Sequence, residues 1–384
     1  MAEDKYTAAG VNIKEGDSLS SYAGMLCQST YRNSPYLKIV DLSDGHFRGP
    51  RGFQLKNLPK ECILTGGADG AGTKVVLEDA AGNYRYAGRG IVAMTGGDIT
   101  RWGGMPLLIL NSLDARTIGK KDERVNIAFH ELLMGLKETC DSQKLVLFGG
   151  ETAELGEFVG SDNPGACARY LWSGFAIGVF HPLKMIRGKT VKPGMSVIAL
   201  REYGFRNNGL SLVRKALKSR YGERCYQVPE ATLAIKAAAA PAVLYDRLLE
   251  TANGWFSRNF TPRIKTHLIS HLSGGAIKSK FGDDLLFKYG FSANLPNLWR
   301  PPVIMKDCAS WLGLSDRECY EFWSGGQGAL VVVEEKDAEA FVELAEKFSI
   351  DARVAGEITK EKIPQLTIMS KFSGKEFTFK KGEK

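Results

Sequence analysis

The sequence predicts an α+β protein built from two α/β-type domains, with a boundary near His181 that separates residues 1–181 from 182–384. Three observations lead to this prediction. The chain has 384 residues, more than twice the roughly 150 residues of an ordinary domain. Hydrophobic residues make up 44% and charged residues 24%, which is typical of a soluble globular protein. Strand-like and helix-like runs alternate in both halves without a fixed-period repeat, which favours mixed α/β layers.

The first half contains several short apolar runs separated by glycine-rich segments. The first sixty residues are polar and weakly periodic, so we expect them to be ordered but irregular. The segment 122–142 is the clearest helix, because Val125, Phe129, Leu132 and Leu136 keep the spacing of one helical face. A second helix is expected at 88–103. Strands are expected at 62–65, 75–77, 107–110, 145–148 and 170–180.

The second half repeats the alternation after a polar turn at 189–194. Strands are expected at 196–200 and 325–333, with a further strand that ends at Ile358. Helices are expected at 209–220, at 231–252, where alanine is abundant, and at 338–348. Residues 273–275 are expected to form a loop, and the tail 380–384 is expected to fray.

Composition excludes several classes of protein. The seven cysteines show no C-x-x-C spacing, so neither a disulfide framework nor a thiolate zinc site is expected. The longest mostly apolar run, 171–180, is half the roughly 20 residues that a membrane helix needs. We therefore expect a cytoplasmic protein without a membrane segment. The net charge of +8 suits either nucleic acid or a polyanionic small substrate. The basic run at 120–121 lacks the interleaved aromatic residues of single-strand binding, so we do not expect a nucleic-acid partner.

The glycine-rich segment 66–74 is the most informative motif. Glycines around Asp69 allow successive backbone N–H groups to converge on a phosphate, and Lys74 would add a positive charge. The order Gly72-Thr73-Lys74, followed by a strand-like run, excludes a standard P-loop. Val75 stands where a dinucleotide fingerprint needs glycine. A phosphate site and a tight structural turn both remain open for this segment.

Two further carboxylates lie beside paired glycines, as Asp69 lies among the glycines of its own loop. They are Asp98 after Gly96-Gly97 and Glu151 after Gly149-Gly150. Carboxylate oxygens are the ligands that Mg²⁺ takes from proteins, together with water and substrate phosphates. Each carboxylate could alone be a loop cap, but the recurrence favours a magnesium–nucleotide site.

His267 and His271 lie four residues apart, a spacing that puts two side chains on one face of a helix. The glutamate expected next to the first histidine of a zinc-binding helix is absent. We therefore leave two interpretations open for these histidines. One of them contacts the substrate as a polar or acid–base group, or both are structural.

Together these motifs resemble the aminoimidazole ribonucleotide synthetase (phosphoribosylformylglycinamidine cyclo-ligase) family. The matching segments follow in order along nearly the whole chain. They are Tyr6-Thr7-Ala8-Ala9-Gly10-Val11-Asn12-Ile13, Gly70-Ala71-Gly72-Thr73-Lys74, Gly149-Gly150-Glu151-Thr152-Ala153-Glu154, Asn208-Gly209-Leu210-Ser211-Leu212-Val213-Arg214-Lys215, and His267, His271 and Gly274-Gly275.

The chain departs from the family pattern mainly on the substrate side. Arg48 and Arg51 stand in a loop that is glycine-rich in the family. Arg206 stands where the family has a histidine, just before Asn207-Asn208-Gly209. These arginines could contact the ribose phosphate of a substrate, because a guanidinium binds phosphate with two parallel hydrogen bonds.

The resemblance implies a fold and an activity. The N-terminal sheets would form a barrel across a homodimer, and the C-terminal domain would be an α/β sandwich. The enzyme would use ATP and Mg²⁺ to close the imidazole ring of a ribonucleotide substrate in purine biosynthesis. The implied roles are catalysis by Lys74, His271 and Asn208; nucleotide binding by Asp69, Gly70, Gly72, Thr73, Lys74 and Asp98; substrate binding by Arg48, Arg51, Arg206, Asn208, Ser211, Gly274 and Gly275; and magnesium binding by Asp69, Asp98 and Glu151.

Three other functions compete with this one, the first of them a nucleic-acid binder, which only the net charge of +8 suggests. Another ATP-using enzyme of the same superfamily, such as a small-molecule kinase or a selenophosphate synthetase-like enzyme, would share the glycine-rich loop. A non-catalytic descendant would act as a binding protein, although it would have little reason to keep three carboxylates and Lys74.

Overall fold

The computed structural model describes residues 13–44 and 49–383. Contacts divide the chain into two compact units, one of residues 1–99 and 106–182 and the other of residues 100–105 and 183–384. Both units mix helices with sheets, so the predicted α+β class is confirmed. None of the helices in the described residues combines the length and the apolar character that crossing a bilayer requires.

The described part of the first unit contains four α-helices and six strands. The helices are α1 (Ile13–Thr30), α2 (Lys74–Ala81), α3 (Tyr84–Thr100, whose last residue belongs to the second unit) and α4 (Arg124–Gln143). The strands are β1 (Leu37–Asp41), β2 (Arg51–Leu55), β3 (Ile63–Gly70), β4 (Met105–Ala115, whose first residue belongs to the second unit), β5 (Val146–Glu154) and β6 (Tyr170–Phe180).

A four-stranded sheet with the order β3-β6-β4-β5 organises this unit, while β1 and β2 form a separate hairpin. Strand β3 is antiparallel to β6, with Asp69 opposite Gly174. Strand β4 is parallel to β5, with Ser112 opposite Glu151. The sheet therefore has β3 at one edge and β5 at the other.

Helix α3 covers one face of this sheet, and glycines let it approach closely. A Cβ on Gly174 of β6 would overlap the side chain of Ile91 in α3. On the opposite face of β6, Leu171 is 52% exposed and Phe175 is 42% exposed, so no helix among the described residues of the first unit covers this apolar face.

Gly135 sets the distance between α3 and α4. A Cβ at this position would overlap the carbonyl oxygen of Arg85, so we expect Gly135→Ala to force the helices apart. The free energy of unfolding should fall by about 1–3 kcal/mol, as measured by urea denaturation. Gly160→Ala is the control, because Gly160 is exposed and has no atom within 4 Å of an added Cβ. Equal stability of the two variants would contradict this account.

The second unit contains a larger set of elements. Its strands are β7 (Ser196–Arg201), β8 (Thr266–His271), β9 (Ser292–Leu295), β10 (Gln327–Val333), β11 (Ala352–Thr359), β12 (Gln365–Met369) and β13 (Glu376–Lys380). Its helices are α5 (Leu210–Tyr221), α6 (Thr232–Ala238), α7 (Asp246–Ala252), α8 (Val303–Leu312), α9 (Asp316–Phe322), α10 (Ala338–Glu346) and a π-helix (Ile277–Leu286).

One seven-stranded sheet with the order β13-β12-β9-β11-β7-β10-β8 forms the middle layer of this unit. On one face, Phe281 and Leu285 of the π-helix join a buried apolar core. On the other face, Leu248 of α7 and Phe341 of α10 join a second core. The unit is thus a sheet with helical layers on both faces.

Several predictions about local structure are wrong. Residues 13–30 form a helix although the first sixty residues were expected to be irregular. Residues 75–77 lie in helix α2 and not in a strand. The helix expected at 231–252 is broken between α6 and α7, because Pro241 lacks the backbone N–H that a helix interior needs. Lys380, the first residue of the tail that was expected to fray, is instead the last residue of strand β13.

Candidate functional site

The glycine-rich segment of the first unit is a strand followed by a short loop and a helix. Strand β3 continues to Gly70, so only residues 71–73 form the loop before α2 begins at Lys74. Gly72 has a φ of +58°, a conformation that favours glycine. The strand expected at 75–77 was one of two arguments that excluded a P-loop, and this prediction is wrong because α2 begins at Lys74. The order Gly72-Thr73-Lys74 still excludes that motif.

Lys74 points into the interior of the first unit. Its side chain is 1% exposed, and its Nζ lies 4.0 Å from Oε1 of Glu78, which is 2% exposed. Burial raises the pKa of Glu78 to about 7, while Lys74 and the Tyr170 hydroxyl act in the opposite direction. The ammonium group of Lys74 is thus within reach of a buried carboxyl group one helical turn away.

Asp69 and Asp98 lie on the same side of strand β3. A Cβ at Gly67 would be 3.9 Å from the Cβ of Asp98. Asp69 is two residues further along the strand and therefore on the same face as Gly67. The backbone N–H of Gly70 donates to Oδ1 of Asp69 at 2.7 Å. This edge of the sheet brings together two of the three predicted magnesium ligands.

Glu151 lies on the opposite edge of the sheet. Strands β6 and β4 separate β5 from β3, which at about 4.8 Å per strand corresponds to roughly 14 Å across the sheet. Within the part of the chain that the structure describes, no three histidine, cysteine, aspartate or glutamate side chains are grouped so as to hold a metal ion. One chain therefore does not unite the three predicted carboxylates.

A cavity of about 750 Å³ lies at the β5 edge, between α1 and the sheet. Arg51 and Glu151 both line it. The Arg51 side chain is 19% exposed, and its Nε lies 3.9 Å from Oδ1 of Asp41. Other polar groups on its wall come from Asp17, Ser20, Tyr31, Asn111, Thr152 and Glu154. Arg48, the other arginine of the altered loop, lies outside the described residues, as do Tyr6 to Asn12.

In the second unit, three loops meet at one end of the sheet. Arg201 at the end of β7 is opposite Gln327 at the start of β10, and His271 at the end of β8 is opposite Ala329. The loops 202–209, 272–276 and 323–326 therefore lie side by side. A Cβ on Gly274 would be 3.7 Å from Oδ1 of Asn208, so the two predicted glycine and asparagine motifs are in contact.

Two helix N-termini begin at these loops, and neither has a side-chain cap. Helix α5 follows Gly209, whose φ is +68°, and the π-helix follows Ala276, whose φ is +47°. A non-glycine residue with positive φ is strained. Ser211 in the first turn of α5 is exposed. Free N–H groups at helix N-termini attract anions, so this end of the unit is suited to phosphate.

Arg206 is buried behind these loops. Its side chain is 2% exposed and that of Glu202 is 0% exposed, with 2.8 Å between Nη1 and Oε2. Nη1 also donates to the carbonyl oxygen of Val243 at 3.0 Å, and Nη2 lies 3.1 Å from Nε2 of His271. The guanidinium carbon is 5.1 Å from the ring centre of Tyr245. Arg206 therefore contacts four protein groups, a different environment from that of an exposed substrate ligand.

The two histidines lie on a strand rather than a helix. At about 3.3 Å per residue, His267 and His271 are roughly 13 Å apart along β8, so they do not share a metal ion. Burial lowers the pKa of His267, which is 3.4 Å from Oε1 of Glu334. Burial, followed by the charge of Arg206, lowers the pKa of His271 well below its usual value. Both effects favour the neutral form of His271.

The structure adds residues that the sequence patterns did not indicate. Glu202 and Tyr245 complete the surroundings of Arg206, although neither belongs to a recognisable motif. Asn207 has a carboxamide whose oxygen and nitrogen are both inaccessible to water and have no hydrogen-bond partner among the described residues. The part of the cavity wall that α1 forms was also not predicted. Ser20 and Gly24 lie one helical turn apart on this wall, but the segment is too polar to show a helical pattern of apolar residues.

Two family models match most of this chain. Residues 56–180 match the family model of the AIR synthase related protein N-terminal domain, and residues 192–369 match that of its C-terminal domain. Solved structures of similar fold include HypE, a hydrogenase maturation protein of E. coli (15% identity, 92% of this chain and 94% of that chain, TM-score 0.55). The fold of thiamine-monophosphate kinase from Stenotrophomonas maltophilia is similar to the same degree (15% identity, 87% of this chain and 92% of that chain, TM-score 0.53). At these identities the likeness concerns the fold alone.

Full-length relatives are more similar in sequence. Phosphoribosylformylglycinamidine cyclo-ligase of Oceanobacillus iheyensis is 28% identical over 378 residues, which cover 94% of this chain and 99% of the relative. The protein of the same name from Burkholderia cenocepacia is 30% identical over 344 residues, which cover 88% of each chain. The resemblance read from the motifs is thus confirmed, and the chain belongs to the AIR synthase related protein family.

Proposed function

We propose that this protein catalyses the ATP-dependent cyclisation of formylglycinamidine ribonucleotide to aminoimidazole ribonucleotide, a step of purine biosynthesis. The observation that carries this proposal is the full-length match to relatives named for that reaction. The motifs that support it lie at the β5 cavity, where Glu151 is, and at the paired helix N-termini, where Asn208 and Gly274 are.

The reaction needs activation of an amide. ATP transfers its γ-phosphoryl group to the amide oxygen of the substrate, which turns that oxygen into part of a good leaving group. The amine at the other end of the same molecule then attacks the amide carbon. The C–O bond breaks and inorganic phosphate leaves, while the amine loses a proton and the imidazole ring closes. Such chemistry needs positioning and charge neutralisation more than covalent assistance by the protein.

The nucleotide side of this proposal uses the β3 edge. The N–H groups of Gly72 and Thr73 and the uncapped N-terminus of α2 suit ATP phosphates. Asp69 and Asp98 offer oxygen ligands on one side of the strand, which is the donor chemistry of Mg²⁺. When bound, Mg²⁺ neutralises charge on the phosphates. Lys74, whose ammonium group lies near Glu78, would contribute positive charge that attracts the phosphates bound at the loop.

The substrate side uses the second unit. The ribose phosphate fits the two uncapped helix N-termini, where Asn208, Ser211, Gly274 and Gly275 lie. Arg51 would supply a cation to an anionic group in the β5 cavity. A direct phosphate contact from Arg206 has less support, because its guanidinium already contacts Glu202, Val243 and His271.

A homodimer would explain the separation of the carboxylates. The uncovered face with Leu171 and Phe175 and the β3 edge strand both offer surfaces for a second copy. If the β3 edge of one protomer meets the β5 edge of its partner, then Asp69 and Asp98 of one chain approach the cavity with Glu151 of the other. The site would be complete only in the dimer.

A coupled assay of ADP release tests the function. We expect turnover with formylglycinamidine ribonucleotide and Mg²⁺–ATP, accompanied by an equal amount of aminoimidazole ribonucleotide. The comparison panel contains thiamine monophosphate, selenide and the substrate without its phosphate. Release of ADP with a panel compound, and not with the ribonucleotide, would replace the cyclo-ligase by another ATP-using activity of the same superfamily.

A charge placed between the helix N-termini tests the phosphate site. Asn208→Asp keeps the size of the side chain and adds a negative charge that repels a phosphate. We expect the KM for the ribonucleotide to rise by about tenfold or more, while the KM for ATP stays within about twofold. Asn259→Asp is the matched control, because Asn259 is exposed in the same unit. Equal KM values for the two variants would contradict the placement.

A further inference from the structure

Arg206 is held on several sides by buried partners. Oε2 of Glu202 accepts from its Nη1 at 2.8 Å, and the carbonyl oxygen of Val243 accepts from the same nitrogen at 3.0 Å. Glu202 is itself fixed, because its Oε1 accepts from the backbone N–H of Tyr203 at 3.1 Å. The hydroxyl of Tyr245 lies 3.4 Å from Oε2 of Glu202. A side chain held in this way has little freedom to turn toward a ligand.

The backbone of Arg206 is also unusual. Its φ is +52°, a left-handed conformation that costs a non-glycine residue roughly 1–2 kcal/mol. Such strain persists only where the surroundings hold it in place. The contacts of the guanidinium supply that restraint, and the strained turn leads directly into Asn207, Asn208 and the N-terminus of α5.

The far end of Arg206 reaches a different loop. Nη2 lies 3.1 Å from Nε2 of His271, the last residue of β8 before loop 272–276. A guanidinium has only donors, so Nε2 must accept, and the proton of the neutral imidazole is on Nδ1. Burial and the neighbouring guanidinium keep the pKa of His271 low, which preserves this acceptor.

We propose that the buried chain Glu202–Arg206–His271 is a clamp that fixes loop 205–209 against loop 272–276 and thereby sets the spacing of the two helix N-termini. Arg206 is then a positioning residue, and His271 is its acceptor in the Nδ1–H tautomer. The proposal rests on the proposed function only for the identity of the phosphorylated ligand. The contact between Asn208 and Gly274 is the point at which the clamp aligns the two loops.

The tautomer of His271 and the kinetics are measured together in the full-length protein. Imidazole ¹⁵N NMR spectra are recorded for the wild type, for Glu202→Gln/Arg206→Met and for Arg206→Lys, with His271→Asn to assign the signals. We expect the Nδ1–H tautomer in the wild type and a mixture of tautomers in both variants. We also expect the KM for formylglycinamidine ribonucleotide to rise by about tenfold in both variants, with kcat changed by less than about threefold.

Arg206→Lys separates positioning from direct binding. Lysine keeps the charge but lacks the planar fork, so it cannot hold Glu202, Val243 and His271 together. A lysine would still serve as a direct phosphate ligand. A near-normal KM for Arg206→Lys, a wild-type KM for the double variant, or an Nε2–H tautomer in the wild type would each overturn the clamp.

The control is Arg317→Met, which removes a guanidinium paired with Glu383 at 2.9 Å elsewhere in the same unit. It should leave both the tautomer and the KM unchanged. If the wild type does not turn over the ribonucleotide, the proposed function fails, while the NMR spectra and a titration with ribose 5-phosphate still decide whether the clamp exists. In that titration the double variant should bind about tenfold more weakly than the wild type; equal affinity would overturn the clamp.

Discussion

Mixed dimers of Asp69→Asn and Glu151→Ala chains are expected to recover about a quarter of the wild-type sites. Each variant alone should lose on the order of 10²-fold in turnover. The lost carboxylate would no longer help to hold the Mg²⁺ that neutralises charge during phosphoryl transfer. In a mixed dimer, one site would combine the intact Asp69 of one chain with the intact Glu151 of its partner, and we expect that site to be active. Random mixing makes half of the dimers mixed, and half of their sites are whole.

The control mixes Asp69→Asn with Asp98→Asn. Both residues lie on the β3 side of the sheet, so no combination of these two chains restores a site. The measurement is ADP release after co-expression or after refolding of equal amounts of the two chains. Recovery no greater than that of the control would mean that Glu151 does not act across the interface. Light scattering that gives a concentration-independent monomer near the chain mass of 42.1 kDa would remove the homodimer itself.

Arg206→Met is expected to lower the free energy of unfolding of the second unit by about 3–5 kcal/mol. The variant leaves Glu202, whose side chain is 0% exposed, as an uncompensated buried charge. Glu202→Gln/Arg206→Met removes both charges and should regain most of this loss, because a neutral amide is less costly to bury than a carboxylate. Urea denaturation followed by tryptophan fluorescence measures the difference.

Arg317→Met again provides the comparison, because its side chain is 35% exposed and pairs with Glu383 on the surface. An exposed ion pair contributes only about 0–1 kcal/mol. If Arg206→Met costs no more than Arg317→Met, then Glu202 is either protonated or hydrated in the folded protein. In that case the buried ion pair between Arg206 and Glu202 would not be what makes Arg206 important for stability.

Local sequence patterns predicted two of the long regular elements, β6 and α4, with nearly correct bounds, but missed helix α1. Strand β6 was expected at Tyr170–Phe180 and has those bounds. Helix α4 begins and ends within two residues of its expected range, because its apolar side chains keep a helical period that the sheet beneath it requires. Such elements bury one continuous face, so their apolar residues recur at a regular spacing that can be recognised in the sequence.

Residues 74–81 show where local propensity is misleading. Val75 and Val76 are β-branched and favour strands in isolation, yet they belong to α2. Val75 and Leu77 are both buried in the short helix, and this burial outweighs a propensity difference of less than about 1 kcal/mol per residue. Here the surrounding unit, and not the segment, decides the structure.

The sequence by itself determined the family and the two-domain α+β class, and it predicted candidate site residues, since motifs such as Gly149-Gly150-Glu151 are recognisable without coordinates. Only the tertiary structure decided where their side chains lie. The strand order β3-β6-β4-β5 separates Glu151 from Asp69, although their motifs look equivalent in sequence. Burial likewise directed Arg206 to Glu202 and His271. Strand order and burial depend on contacts between residues far apart in the chain, and no local pattern records them.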